Sequence, residues 1–363
     1  MTRPPSAMGL LVFLFAACGD DGGAGSGATG TDGTGASGTT AGSTAAGSTT
    51  AGSTTSTTSG GSSTGTTGTS GTAGTTAGTS GTATGGTTGD PVCAMLPEGP
   101  IDPEVVTMVF DGSEDIAFDG LGHIAGKQGN QLVLVDAAEN VSPLTNMPGQ
   151  TLGLRYLPGG DLVVAHAQQG RLVRVEPSGA STTLLMGLDG PNGVYADFDG
   201  NVWFTEIGGD RVSVLRPDDT VEVVVEGPEA AAANGVVYDP DRGLVFYDNY
   251  FTGRVAKVTV DGGTFGTPEE VGTIDGRADG MVLDACGNLY VVDQGDGELY
   301  RFFLDANGDA VGGPELLATF PQNVANAQFG RGDGFDETTL YVAGMPGVVY
   351  AVPVGVTGQP IPM

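Results

Sequence analysis

Six positions that recur at a nearly regular interval carry most of the side chains in this chain that are suited to binding a metal ion. Consecutive members are 38, 40, 42, 45 and 47 residues apart, and five of the six bear side-chain oxygens. In chain order they are Glu114, Leu152, Asn192, Asn234, Asp279 and Asn326. Two carboxylates and several amide carbonyls, without Cys or His, form a donor set that favours Ca²⁺ over zinc. The pattern therefore predicts a site for a hard cation.

The alternative interpretation is that Asn and Asp before Gly only shape turns. That interpretation predicts Asn or Asp in every copy. Glu114 is a poor turn former and Leu152 contributes no oxygen, so we favour the metal site.

Each of these positions begins a unit of about 40 residues. A unit contains a Gly-apolar segment, an Asp-x-x-Gly turn and short apolar runs, for example 202–204, 211–215 and 221–225. Short strands separated by Gly/Asp turns at this period are typical of propeller blades. We predict an all-β, six-bladed β-propeller over residues 91–363, with the first position of every unit facing the central axis. An open β-solenoid is the rival fold, but its coils are usually shorter.

The first 90 residues predict export and a tether. Arg3 followed by an apolar run from Ala7 to Ala17 has the order of a secretory signal, residues 1–17, which is too short to span a bilayer. The small residues before Cys18 resemble a bacterial lipobox, so Cys18 is the predicted lipidation site; an ordinary signal with an incidental cysteine is the alternative. Residues 18–90 are rich in Gly, Ser, Thr and Ala, which predicts a disordered tether. We expect a lipid-anchored protein of the bacterial cell envelope, on the periplasmic face or the cell surface.

The overall charge limits the partners. With 43 acidic and 13 basic residues the formal net charge is −30, which disfavours nucleic acid and anionic lipid headgroups. We expect a monomer that meets the membrane only through its lipid anchor. Cys93 and Cys286 form an even pair in an exported chain, which predicts a disulfide, with two free thiols as the alternative.

The order Glu, Asn, Asn, Asp among the six positions resembles a known calcium site. It is similar to that of the gluconolactonase and senescence-marker-protein family and of diisopropylfluorophosphatase. The surrounding motifs agree: Asn234-Gly235, Ala278-Asp279-Gly280-Met281, Gly287-Asn288-Leu289-Tyr290-Val291 and Thr339-Leu340-Tyr341-Val342. Residues 100–357 thus resemble the SMP-30/gluconolactonase/strictosidine synthase-like superfamily of calcium-dependent phosphotriesterases. Leu152 and the absence of an arginine adjoining Asn192 depart from the sugar-lactone hydrolases and disfavour an aldonolactone substrate.

The resemblance implies a calcium-dependent hydrolase that acts on a small lactone or a related ester. Its Ca²⁺ ligands would be Glu114, Asn192, Asn234 and Asp279, with Asp279 also the first candidate for base or nucleophile. His166 is the second catalytic candidate. The remaining predicted substrate contacts are Arg155, which could bind an oxyanion, Glu206, Asp248, Asp293 and Asn326.

Four of these residues come from a second pattern, the end of the second strand of successive units: His166, Glu206, Asp248 and Asp293. Two other functions stay open. One is a non-catalytic propeller, stabilised by calcium, that presents loops to a partner. The other is a lyase that acts on a cyclic ester, with His166 as its base.

Overall fold

A computed structural model of the chain describes residues 92–363. They form six antiparallel sheets that follow one another along the chain, so the predicted six-bladed propeller is confirmed. The described part contains two short 3₁₀ turns, Ala167–Gln169 and Gly227–Ala230, and no α-helix. Among these residues no helix has the length and apolarity needed to cross a membrane. The predicted signal segment 1–17, the lipidation site Cys18 and the tether 18–90 lie outside the described residues.

In blades 1 to 5 the strands run in chain order from the central axis outward. In blade 6 the outermost strand comes from the start of the domain. The first strand, β1 (Glu104–Thr107), belongs to the last blade. Blade 1 contains β2 (Ala117–Phe118), β3 (His123–Gln128), β4 (Gln131–Asp136) and β5 (Val141–Asn146). Blade 2 contains β6 (Leu154–Tyr156), β7 (Leu162–His166), β8 (Arg171–Val175) and β9 (Ser181–Met186). Blade 3 contains β10 (Pro191–Ala196), β11 (Val202–Glu206), β12 (Arg211–Leu215) and β13 (Val221–Glu226).

The remaining blades follow the same order, with one extra hairpin. Blade 4 contains β14 (Ala233–Asp239), β15 (Leu244–Asn249), β16 (Arg254–Asp261), β17 (Thr264–Phe265) and β18 (Glu269–Thr273). Blade 5 contains β19 (Ala278–Leu283), β20 (Leu289–Asp293), β21 (Glu298–Phe302) and β22 (Glu315–Thr319). Blade 6 contains β23 (Asn326–Phe329), β24 (Thr339–Gly344), β25 (Val348–Pro353) and the N-terminal β1.

The ring closes by pairing strands from the two ends of the domain. β1 pairs antiparallel with β25, with Glu104 opposite Ala351. The segment before β1 lies against blade 5, where the Ile101 amide donates to the carbonyl of Leu317 at 2.7 Å. A disulfide joins Cys93 to Cys286 across 193 residues of sequence, which is the predicted pairing. The closure therefore combines one strand pairing and one covalent bond.

The middle strands are buried on both faces because each blade is covered by its two neighbours. β11 reads Val-Trp-Phe-Thr-Glu, and all five residues are buried. Such strands favour β-branched and aromatic residues, which fill the space between blades. Trp203 of blade 3 stacks on Tyr238 of blade 4 with ring centroids 4.8 Å apart. The apolar runs found in the sequence are therefore contacts between blades.

The recurring Asp of each unit forms a turn between the first and second strands. In blade 3, Asp197 Oδ1 accepts from the amides of Asp199 at 3.0 Å and Asn201 at 2.9 Å. Its second oxygen accepts from the Trp203 indole at 3.0 Å, which fastens the turn to the blade core. Gly200 completes this turn at φ 81°, a conformation that favours glycine. Much of the acidic excess thus belongs to turns.

The end of the axial channel near these turns is closed by the C-terminal tail. The Gln359 amide donates to the Leu283 carbonyl at 2.9 Å, and Arg331 Nη2 donates to the Gln359 carbonyl at 2.6 Å. The tail leaves a cavity of about 20 Å³, which Arg155 and Gln328 also line. The first residues of the innermost strands lie at the other end.

The disulfide generates a stability prediction. Replacing both Cys93 and Cys286 by Ser should lower the free energy of unfolding by about 2–5 kcal/mol, because the bond restricts a long loop of the unfolded chain. Urea unfolding with and without reductant measures this loss. Reductant should destabilise the wild type and leave the double variant unchanged. Equal stability of the two oxidised proteins would contradict the structural role.

Candidate metal centre

The oxygen-bearing residues predicted from the repeat meet at one end of the axis. Four of them lie at or next to the start of an innermost strand, and Glu114 precedes β2 by three residues. Their exposed fractions are small: Glu114 7%, Asn192 6%, Asn234 2%, Asp279 1% and Asn326 7%. We call these five residues the axial ring. Leu152, also buried, occupies the sixth place.

Glycine after the leading residue allows neighbouring innermost strands to approach closely. A Cβ at Gly193 would clash with the Asn234 carbonyl oxygen, and one at Gly235 would clash with the Asp279 carbonyl oxygen. The Gly153 amide also donates to the Asn192 carbonyl of the next blade at 2.9 Å. The Gly of the repeat therefore brings consecutive ring residues together.

Three carboxylate oxygens at this end of the channel are buried without a hydrogen-bond partner: Glu114 Oε2, Asp279 Oδ2 and Asp248 Oδ2. A buried acceptor left without a partner costs free energy, and the cost is larger for a charged group. No ion pair within residues 92–363 involves any of these three side chains.

The unpaired charges repel one another. Burial raises the pKa of Glu114 to about 7, and the charge of Asp115 contributes in the same direction. Burial also raises the pKa of Asp279 well above its usual range, as do the charges of Glu114, Asp248 and Asp115, while a hydrogen bond from the Asn234 side chain opposes the rise. A bound divalent cation would supply the missing positive charge. The donor set and the unpaired oxygens therefore fit a hard divalent cation.

Asp115 is a neighbour of the ring that the sequence analysis did not identify. It occupies the place of the repeat glycine in blade 1, and its carboxylate accepts from the amides of Ile116 at 2.8 Å and Leu154 at 2.9 Å. It also pairs with the Arg155 guanidinium, which is itself buried. Arg155 lines the small cavity beside the C-terminal tail. Arg155 therefore forms an ion pair with Asp115, and its role in binding an oxyanion stays a prediction.

The predicted second group of residues does not occupy one equivalent set of positions. In the strand register His166, Glu206 and Asp293 are equivalent, and blade 4 places Asn249 there. Asp248 lies one residue earlier and faces the other side of β15, where its Oδ1 accepts from the Gly235 amide at 3.0 Å. The prediction for Asp248 had the wrong register, because β15 has six residues where the equivalent strands have five, but the correct placement brings it beside Asp279.

His166 and Glu206 are engaged away from the ring. His166 Nε2 lies 2.9 Å from the Pro148 carbonyl, and its Nδ1 accepts from Arg171 at 3.3 Å. Burial lowers the pKa of the His166 imidazole, which favours its neutral form. Glu206 accepts from the Asp189 amide at 2.8 Å. The structure does not bring His166 or Glu206 into hydrogen-bonding contact with the axial ring, and the catalytic role of His166 stays a prediction.

Two loop residues not predicted from the sequence connect to the ring: Gln294 contacts Glu114, and Tyr250 contacts Gln294. Gln294 Nε2 donates to Glu114 Oε1 at 3.2 Å, and the hydroxyl of Tyr250 donates to Gln294 Oε1. The Arg277 guanidinium lies 5.6 Å from the centre of the Tyr250 ring. Tyr250 and Gln294 each follow the last residue of a second strand, and that shared position was the available signal.

With this geometry established, comparison with known proteins identifies the family. Residues 124–345, more than half of the chain, match the family described as "SMP-30/Gluconolactonase/LRE-like region". The chain belongs to the SMP-30/gluconolactonase/LRE-like family. The match lies within residues 100–357, where the sequence resemblance was found. No curated protein matches the sequence significantly.

Solved structures share the fold of this family member at low sequence identity. Regucalcin, a calcium-binding protein from Agrobacterium tumefaciens, superposes with a TM-score of 0.60 at 17% identity, covering 74% of this chain and 99% of that chain. A gluconolactonase from Xanthomonas campestris gives 0.58 at 17%, covering 72% and 99%. Virginiamycin B lyase from Staphylococcus aureus gives 0.51 at 14%, covering 66% and 79%.

The pKa of Glu114 generates a prediction for the metal-free protein. Its folded pKa of about 7 exceeds the ordinary value of 4.5, so the folded state holds a proton that the unfolded state has released. The stability of EDTA-treated protein should therefore fall by about 3 kcal/mol as pH rises from 4.5 to 7. Divalent cations should bind more tightly over the same rise, because the proton must leave.

Urea unfolding and Ca²⁺ titration at pH 5 and pH 8 measure both effects. Glu114→Gln should flatten the pH dependence, whereas Glu104→Gln, on an exposed part of β1, should retain it. Metal-free stability that increases between these pH values would contradict this account.

Proposed function

We propose that this protein is an exported, lipid-anchored, calcium-dependent hydrolase of lactones or related esters. The observation that carries the proposal is the set of unpaired, buried carboxylate oxygens of Glu114 and Asp279, together with the buried side chains of Asn192 and Asn234. Membership of a family that is named for gluconolactonase supports hydrolysis, and the family's name also includes SMP-30. The similarity to calcium-binding regucalcin supports Ca²⁺ as the cation.

In this proposal different residues at the axial ring have different roles. Glu114, Asn192, Asn234 and Asp279 hold the cation, which when bound polarises the carbonyl oxygen of the substrate as a Lewis acid. Gln294 donates to one oxygen of Glu114 and thereby fixes the orientation of that carboxylate. Asn326, at the rim of the ring, remains available to donate to the substrate.

Asp279 is the proposed general base. Its Oδ2 has no hydrogen-bond partner, and in the metal-free protein burial raises the pKa of its carboxyl group, as do the charges of Glu114 and Asp248. A water molecule beside Asp279 would transfer its proton to the carboxylate oxygen of Asp279 that does not bind the cation, while the water oxygen attacks the carbonyl carbon. The ester C–O bond would then break, and the leaving alkoxide would take that proton from Asp279. Asp248, held by the Gly235 amide, sustains the negative field that makes Asp279 basic.

The location and state of the protein are also proposals. The Cys93–Cys286 disulfide supports export, because such bonds persist in oxidising compartments. We place the protein in a bacterial envelope, anchored through Cys18, as a monomer that binds no nucleic acid. The net charge of −30 supports the last point.

The second candidate function is a non-catalytic propeller that the cation stabilises. The low exposure of the axial ring favours this function. None of its members is more than 7% exposed. A surface groove of about 590 Å³ lies instead between blades 3 and 4, lined by Trp203, Arg216 and Tyr238 among others, and it includes no ring residue. A partner could bind there while the cation only held the innermost strands together.

Replacing the proposed base tests hydrolysis. Asp279→Asn should lower kcat/KM on any lactone that the wild type hydrolyses by at least about 100-fold, since the general base is lost. The measurement is proton release or chromogenic product formation from a panel of aliphatic and aromatic lactones and esters in Ca²⁺. Asp218→Asn, the same change in an exposed turn, is the matched control and should retain activity. Full activity in Asp279→Asn would reject the mechanism, and the absence of activity on the whole panel would favour the second candidate.

A further inference from the structure

Three blades place an arginine at the first residue of the third strand, directly opposite the last residue of the second. In blades 2, 3 and 4 the pairs are His166 with Arg171, Glu206 with Arg211 and Asn249 with Arg254. In each pair an arginine nitrogen approaches the partner's acceptor, at 3.3, 3.4 and 3.3 Å respectively. A positive charge at this position is therefore a recurring feature of the repeat.

Blade 5 reverses that charge. Its equivalent pair is Asp293 and Glu298, two acids directly opposite one another. Asp296, in the loop between the two strands, contributes a third carboxylate, and one oxygen from each residue lies within 4.8 Å of the others. Like charges directly opposite across a sheet are destabilising. No ion pair among residues 92–363 provides a cation for these three side chains.

Asp293 supplies an independent sign of a missing ligand. Its side chain is fully buried, with a residue exposure of 0%. Oδ1 accepts from the amides of Arg277 at 2.8 Å and Gly295 at 2.7 Å, so that oxygen is satisfied. Oδ2 is buried and has no partner at all. A buried carboxylate oxygen without a hydrogen-bond partner is usually stabilised by a donor or a cation that binds it.

We propose that Asp293, Asp296 and Glu298 bind a second divalent cation, Ca²⁺, which takes the place of the arginine of the other blades. The spacing fits, because oxygens that share one Ca²⁺ at about 2.4 Å lie no more than about 4.8 Å apart. Glu298 Oε2 accepts from the Tyr300 hydroxyl at 2.6 Å, which orients this carboxylate. None of the three residues belongs to the axial ring, and the proposal does not depend on catalysis.

Stoichiometry tests the second site without reference to activity. We expect a dissociation constant of about 10⁻⁴–10⁻³ M, so equilibrium dialysis of the full chain should extend to Ca²⁺ concentrations several times higher. The wild type should then bind two Ca²⁺ ions per chain. Asp279→Asn should bind one ion and Glu298→Arg should bind one. The variant carrying both changes should bind none. Glu104→Arg, on the exposed β1, is the control for added positive charge and should bind two.

A second readout separates loss of the site from misfolding. Glu298→Arg installs the pairing of blades 2–4, so in EDTA its melting temperature should equal or exceed that of the wild type. Tb³⁺ bound at blade 5 in the Asp279→Asn background should emit on tyrosine excitation, and Tyr300→Phe should remove most of that emission while one ion still binds.

The outcomes distinguish this site from the axial one. Two ions in Glu298→Arg, or a single ion in the wild type that Asp279→Asn abolishes, would overturn the blade 5 site. A single ion in the wild type that is lost in Glu298→Arg but retained in Asp279→Asn would establish the blade 5 site and reject the axial one.

Discussion

Carboxylates that are buried without a counter-charge constrain the axis of this propeller. Glu114 and Asp279 come from blades far apart in sequence, and closure of the ring forces them together with unpaired oxygens. The repulsion opposes closure, and the blade packing, the β1–β25 pairing and the disulfide act against it. Under the proposal, a bound divalent cation would offset this repulsion and bridge the blades. Binding and structural integrity are therefore linked in this fold.

Departures from the repeat mark where the blades acquire distinct roles. Asp115 stands where blades 2–5 have glycine and pairs with Arg155, so that the charge of Arg155 is not available to Glu114 or Asp279. Glu298 stands where three blades have arginine. A sequence that is otherwise consistent with its fold tends to break its own pattern at functional positions. Both candidate cation sites follow this rule.

The sequence was sufficient to predict the blade count, the approximate start of each innermost strand and the cysteine pair, because all three follow from repetition and parity. It was not sufficient for Arg155, whose partner Asp115 belongs to the preceding blade, so that only the closed ring reveals the pairing. Asp248 was assigned to a register that is one residue away from the true one. A shift of one residue along a strand points the side chain to the opposite face. Gln294 contacts Glu114 from a loop and is held there by Tyr250, and periodicity does not determine the paths of loops.

The most direct test of the central claim is a crystal structure of the protein grown in Ca²⁺ and compared with one grown in EDTA. The account predicts a density peak on the axis within about 2.3–2.6 Å of oxygens from Glu114, Asn192, Asn234 and Asp279, and its loss in EDTA. An axis without a peak in Ca²⁺, with the Glu114 and Asp279 carboxyl groups hydrogen-bonded as neutral acids, would contradict it.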